Sequence, residues 1–135
     1  MNIFKSTTIP VLQEVIGFAQ ARHEVLVSNV ANVNTPGYRV RDLSVDTFQA
    51  RLREAIDAQH ESGATLSPGE IRKQRDTAMQ EVRDTTRDIL YHDGRDVGME
   101  QQVLEISKNQ YMHNMAISIM STQFRMLQTA ISERV

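Results

Sequence analysis

The histidines are the first residues to test for chemistry, and the chain has four of them. His23-Glu24 opens like the helical zinc-protease pattern, in which a second histidine four residues after the first completes the ligand pair. Position 27 is valine, so that ligand is missing. His60, His92 and His113 stand at no metal-binding spacing. Asp93-Gly94-Arg95-Asp96 resembles a fragment of a calcium loop without the remaining ligands or the closing glutamate. There is no cysteine, hence no thiolate nucleophile and no disulfide framework. No glycine-rich phosphate loop follows a strand pattern, and no Ser/His/Asp constellation is visible. The reading is therefore a protein that is not an enzyme, with no catalytic residue, metal, cofactor or small-molecule substrate.

The polar residues that carry more information are the asparagines of Ser28-Asn29-Val30-Ala31-Asn32-Val33-Asn34-Thr35-Pro36-Gly37-Tyr38. Asparagine is a mediocre helix former because its side chain competes for nearby backbone groups. One would suffice to end a helix. Three, with Asn29 and Asn32 on one face, point to side-chain hydrogen bonds that lock a helix end against a neighbour. Asn34 is expected in the left-handed conformation that stops a helix. Pro36 pushes Thr35 into extended geometry, and Pro36-Gly37 suits the centre of a type II turn. Tyr38 then begins an extended exit through Arg39-Val40-Arg41-Asp42.

The elements that hold this run are amphipathic. Leu12, Ile16, Ala19, His23, Leu26, Val30 and Val33 recur at spacings of three and four, the stripe of a helix beginning near Thr7 to Pro10. Val11, Val15, Phe18 and Val25 widen it, which implies more than one neighbour. A second helix is predicted from about Met99 to Ser132, with Gly98 as its N-cap. Its seam reads Val103, Ile106, Gln110, His113, Ile117, Met120, Phe124, Leu127 and Ile131. At ~1.5 Å per residue the two helices are roughly 40 and 50 Å long. If Val33 lies opposite Gln101, His23 falls near Tyr111 and His113 near Ala21. Gln110 would then join them in a polar layer that sets register.

The middle is polar. Residues 44–98 hold 19 of the chain's 32 charged side chains, so buried surface is expected mainly from the two ends. Residues 44–60 read as a short helix with Ser44 or Asp46 as cap and Val45, Phe48, Leu52 and Ile56 on one face. Glu70 to Arg87 is rich in helix formers but sparse in apolar positions (Ile71, Ala78, Met79, Val82), and His92-Asp93-Gly94 reads as a turn. The predicted fold class is all-α: an antiparallel, coiled-coil-like pair of long N- and C-terminal helices with a short polar helix/loop excursion between them. The chain divides into 1–43, the N-terminal helix and turn; 44–98, the polar middle; and 99–135, the C-terminal helix. The first and last form one unit.

Composition supports this. Aromatics are 5% and tryptophan is absent, so core volume must come from aliphatic residues, methionine and alanine. A net charge of −2 leaves no electrostatic footprint for nucleic acid. No stretch is long and apolar enough to span a membrane, and the N-terminus lacks the pattern of a cleaved secretory signal.

The Ser28-to-Tyr38 run closely resembles the N-terminal signature of the bacterial flagellar rod and hook proteins. Arg22-His23-Glu24-Val25-Leu26 before it and Arg39-Val40-Arg41-Asp42 after it narrow the resemblance to the proximal rod. Asp96-Val97-Gly98-Met99-Glu100-Gln101, Lys108-Asn109-Gln110-Tyr111-Met112 and Phe124-Arg125-Met126-Leu127-Gln128-Thr129-Ala130-Ile131 are similar to the end of the same group. The group usually carries an acidic residue where this chain has Gly98, so the helix start is less well capped here. The resemblance implies a structural subunit of the hollow rod in the periplasm. It implies export through the flagellar export apparatus without a cleaved signal. The partners implied are other copies of the chain, other rod proteins, the rod–MS-ring adaptor protein and the export apparatus.

The assembly interface is accordingly placed on Leu12, Ile16, Ala19, Leu26, Asn29, Val30, Asn32, Val33, Val103, Ile106, Ile117, Met120, Phe124, Leu127 and Ile131, and the turn motif on Asn34, Thr35, Pro36, Gly37 and Tyr38. A free subunit with surplus apolar stripes is expected to be partly disordered and to order on assembly. A cytoplasmic helical adaptor or chaperone that binds partner helices is the alternative.

Overall fold

A computed structural model describes residues 8–61, 77–84, 90–92 and 98–133. Helix α1 (Ile9–Ala31) starts behind Thr8, with Pro10 in its first turn, where a missing N–H costs no hydrogen bond. Strand β1 (Arg41–Leu43) leads into α2 (Val45–Glu61). The Thr47 N–H donates to Ser44 Oγ at 3.2 Å, so Ser44 rather than Asp46 caps α2. Residues 77–84 form a short helix, α3. Strand β2 (Leu90–His92) precedes α4 (Met99–Ser132), whose predicted ends match.

The two long helices run antiparallel. Gln123 meets Thr8, Asn109 meets Ala19, Glu105 meets Arg22 and Gln102 meets Asn29. The fold is all-α apart from a ribbon not foreseen in the sequence. In it β1 and β2 pair antiparallel, Arg41 opposite His92, Asp42 opposite Tyr91 and Leu43 opposite Leu90. Three-residue strands are too short to show alternation. His92 thus ends a strand; the rest of the expected turn, Asp93-Gly94, lies outside the described residues, as does Ile71.

The excursion between the long helices is not wholly solvated, although most of the described buried residues do belong to the two ends. One buried cluster consists of Phe18 from α1, Leu43 from β1, Phe48, Leu52 and Ala55 from α2, and Met79 and Val82 from α3. Five of these seven belong to the middle, whereas Ile9, Ala19, Leu26 and Ala116, buried outside this cluster, belong to the two long helices. Phe18 and Phe48 stack with centroids 4.0 Å apart and planes 11° apart. Val11, Val15 and Val25 pack around them, so the second neighbour implied by α1's broad stripe is the middle of the chain. High charge density did not keep this segment off the core, because one helical face needs only a few apolar residues.

The α4 seam is also corrected. Its inward positions are Gln102, Asn109 and Ala116, fully buried, with Glu105, Met112 and Gln123 half-buried between them. These lie one residue before the predicted seam, about 100° around the helix. Val103, Ile117, Phe124 and Ile131 are exposed instead. The inward face is the one whose polar side chains bond α1: Gln102 to Asn29, Glu105 to Arg22 and Asn109 to the Ala19 carbonyl.

Candidate functional site

The Ser28-to-Tyr38 run folds around one side chain. Asn29 is 1% exposed. Its Nδ2 donates to the Arg41 carbonyl at 2.6 Å and to Gln102 Oε1 at 3.2 Å. Its Oδ1 accepts the Tyr38 hydroxyl at 3.1 Å and the Arg41 N–H at 3.1 Å. The amide bonds both backbone groups of Arg41, as a neighbouring strand's peptide would. Buried and fully satisfied, it ties the end of α1 to β1 and to the first turn of α4.

The chain returns to Asn29 because of the turn. Asn32 Nδ2 donates to the Ser28 carbonyl at 2.8 Å, and the Asn32 and Thr35 N–H groups close the last turns on Ser28 and Asn32. The Tyr38 N–H then donates to the Thr35 carbonyl at 3.1 Å across Pro36-Gly37, and Gly37 has φ +76°. This is the expected type II arrangement. Asn34 does not adopt the left-handed conformation: among the described residues only Gly37 has positive φ. Consecutive turn hydrogen bonds end the helix without it.

About two helical turns before Asn29, Arg22 makes a second tie. Its Nε donates to Asp42 Oδ1 at 2.8 Å and its Nη2 to Asp42 Oδ2 at 2.7 Å and Glu105 Oε2 at 2.8 Å. Burial works against the guanidinium charge, but the bonds and charges of Asp42 and Glu105 outweigh it and raise the Arg22 pKa. The Glu105 carboxyl is held below its ordinary value, first by its bond from Lys108 and then by Arg22, against the effect of burial. Arg22 thus joins α1, β1 and α4. Asn109 Nδ2 adds a bond to the Ala19 carbonyl at 2.7 Å, and exposed Arg83 of α3 pairs with buried Glu14 of α1.

The residues placed on the assembly interface from sequence separate into three groups. Ala19, Leu26 and Asn29 are buried. Leu12, Ile16, Val30, Asn32, Ile106, Met120, Leu127 and Tyr38 are half-buried. Val33, Asn34, Thr35, Pro36, Gly37, Val103, Ile117, Phe124 and Ile131 are exposed. Leu104, Tyr111, Met115, Ile119 and Met126 add a second exposed apolar row on α4, with Tyr111 71% exposed. Sequence reading missed the Arg22–Asp42–Glu105 group, Gln102 and Asn109 as structural partners. The predicted polar layer is displaced: His23 is exposed, and it shares a cleft with Gln110 and His113 rather than sitting in a sealed layer. The ties run through Arg22, Asn29, Gln102, Glu105 and Asn109 instead. Among the described residues no group of three His, Cys, Asp or Glu is placed to hold a metal ion.

Comparison with known proteins matches residues 19–39, the segment from the Asn109 tie through the turn, to the family described as flagella basal body rod protein. Three relatives extend the likeness over most of the chain, each named flagellar basal body rod protein FlgB. That of Salmonella typhimurium (strain LT2) is 25% identical over 121 residues, 84% of each chain. That of Escherichia coli (strain K12) is 26% identical over 120 residues, again 84% of each. That of Bacillus subtilis (strain 168) is 27% identical over 139 aligned positions, 98% of each.

Proposed function

The chain belongs to the flagellar basal body rod protein family, and from that premise we propose that it forms part of the proximal rod, a hollow shaft, through its terminal helices. It is a structural subunit of the rod and not an enzyme, and it works in the flagellar basal body together with other rod components.

The observation that carries the assembly mechanism is the division of labour on α4. Its inward face is polar and bonded to α1, whereas the apolar rows through Val103, Ile117, Phe124 and Ile131 and through Leu104, Tyr111 and Met126 face outward. A monomer stabilised this way leaves side chains that each contribute about 1.5–3 kcal/mol when a neighbour covers them. The turn motif fixes the angle between the end of α1 and the middle of the chain, so every copy presents the same shape. Contacts of one face with a different face propagate along an axis where the rotation between copies does not close into a ring. Close-packed helices resist compression, which suits a shaft that passes torque.

The further partners in this proposal are the rod–MS-ring adaptor protein and the export apparatus. The setting is the periplasm, reached without a cleaved signal. Mass spectrometry of purified hook–basal bodies, with the soluble fraction as control, tests the whole reading. Enrichment with rings and rod supports it. A protein found only in the soluble fraction refutes it and favours an adaptor of partner helices.

A further inference from the structure

We propose that the cleft between α1 and α4 is a socket for a guanidinium group, filled in the rod by Arg125 of a second copy of the chain. The inference rests on the rod reading and specifies one contact within it. The cleft encloses about 370 Å³ and is lined by Gln20, His23 and Glu24 of α1 and Asn109, Gln110 and His113 of α4. Its chemistry is that of an acceptor. The Glu24 carboxylate is exposed and takes part in no ion pair among the described residues. Asn109 is 2% exposed, and its Oδ1 accepts no hydrogen bond while its Nδ2 is held by Ala19. A buried amide oxygen without a donor is costly, and the side chain cannot turn over without losing its bond to the Ala19 carbonyl. Among the described residues no lysine or arginine lines the cleft. A fork of N–H donors that carries positive charge is the ligand that answers the Glu24 carboxylate, and one that opens the cleft also supplies the donor that the buried Asn109 oxygen lacks.

Arg125 has the complementary state. It is exposed on α4, and its guanidinium makes no ion pair or hydrogen bond among the described residues. Its neighbours Phe124 and Met126 are large apolar side chains left exposed. An arginine between them would be carried into a partner as they are covered. It cannot reach its own chain's cleft. Arg125 lies beyond the Gln123–Thr8 contact, whereas Glu24 lies near the Arg22–Glu105 contact. Arg125 and the α4 residues that line the cleft are separated by roughly 20 Å of helix, beyond the reach of one side chain. The contact must therefore run from one copy to the next, and because the two surfaces differ it is head-to-tail.

The test uses the native host and the absence of cysteine from the chain. A variant carrying both E24C and R125C is expected to give a ladder of cross-linked multimers when hook–basal bodies are treated with a homobifunctional thiol reagent long enough to span an arginine–carboxylate contact, since cysteines at those positions lie too far apart for a direct disulfide. Incorporated variant that stays monomeric overturns the contact. Charge reversal is the second arm. Glu24→Arg or Arg125→Glu alone should lower recovery in basal bodies about tenfold, equivalent to ~1.4 kcal/mol. The two together should restore it. Single variants without effect, or a double variant that stays defective, overturn the pairing. Absence of the wild-type chain from the particle refutes the rod reading itself, a separate result.

Discussion

Asn29→Asp removes two hydrogen bonds while changing almost nothing in shape. The carboxylate keeps the Oδ1 role toward the Tyr38 hydroxyl and the Arg41 N–H. In place of Nδ2 it sets an oxygen against the Arg41 carbonyl, now at 2.6 Å, and against Gln102 Oε1, now at 3.2 Å. Two acceptors lose their donor at a buried site, and each costs ~1–3 kcal/mol, so the expected destabilisation is about 3 kcal/mol. With a urea slope of ~1.5 kcal/mol per molar, the far-UV circular dichroism midpoint should fall by about 2 M. Asn32→Asp is the control. It forfeits one bond, from Nδ2 to the Ser28 carbonyl at 2.8 Å, on a half-buried side chain, and should cost under ~1 kcal/mol.

Acid should partly repair Asn29→Asp. Burial and two facing acceptors raise the new carboxyl's folded pKa above its unfolded value. The folded state then binds the extra proton first, so stability falls as pH rises through that window and recovers below it, where the neutral acid regains one donor. If Asn29→Asp shifts the midpoint no more than Asn32→Asp, or its defect is the same at pH 7 and at about pH 4, the buried amide does not lock the fold.

Arg22→Ala strands Asp42 and Glu105 opposite each other, 19% and 24% exposed. It should cost about 2 kcal/mol in denaturant unfolding, less than a fully buried pair, with only partial recovery in Arg22→Lys, which lacks the fork. The lowered Glu105 pKa contributes stability that is present above the ordinary carboxylate value and lost as pH falls through the folded one. The acid limb below about pH 4 should therefore flatten in Lys108→Ala and in Arg22→Ala, read from unfolding at a series of pH values. Gly37→Val places a β-branched residue at φ +76°, where no atom lies within 4 Å of an added Cβ. Backbone strain of about 1–2 kcal/mol alone should misdirect Tyr38 and reduce spreading in soft agar, and normal swimming refutes the turn's importance.

Much of the local structure was legible. Gly98 and Ser132 bracket α4 as the caps and apolar period implied, and Pro36-Gly37 made its turn because only those residue types suit both central positions. The breadth of α1's stripe correctly demanded a second neighbour, yet nothing in residues 44–84 identified that neighbour as Phe48, Leu52, Met79 and Val82. Their apolar positions are few and separated by charge, and a sparse stripe looks solvated until a complementary face covers it. Asn29 stood out by its type and place. Arg22, Asp42 and Glu105 did not, since each is an ordinary charged residue on a helix or extended segment.

The sequence by itself determined where the helices begin and end, where the chain turns, and that α4 has more apolar surface than one partner can cover. Those properties depend on interactions within a few residues. Only the tertiary structure decided which face of α4 turns inward, because a one-residue change of seam rotates every side chain by about 100° and both seams follow the same three-four spacing. The bonds that select the polar seam join Asn29 to Gln102, Arg22 to Glu105 and Ala19 to Asn109. Partners that far apart in sequence are assigned by packing: α1 commits Phe18 to the middle of the chain, bonds the polar face of α4, and leaves the apolar rows of α4 exposed.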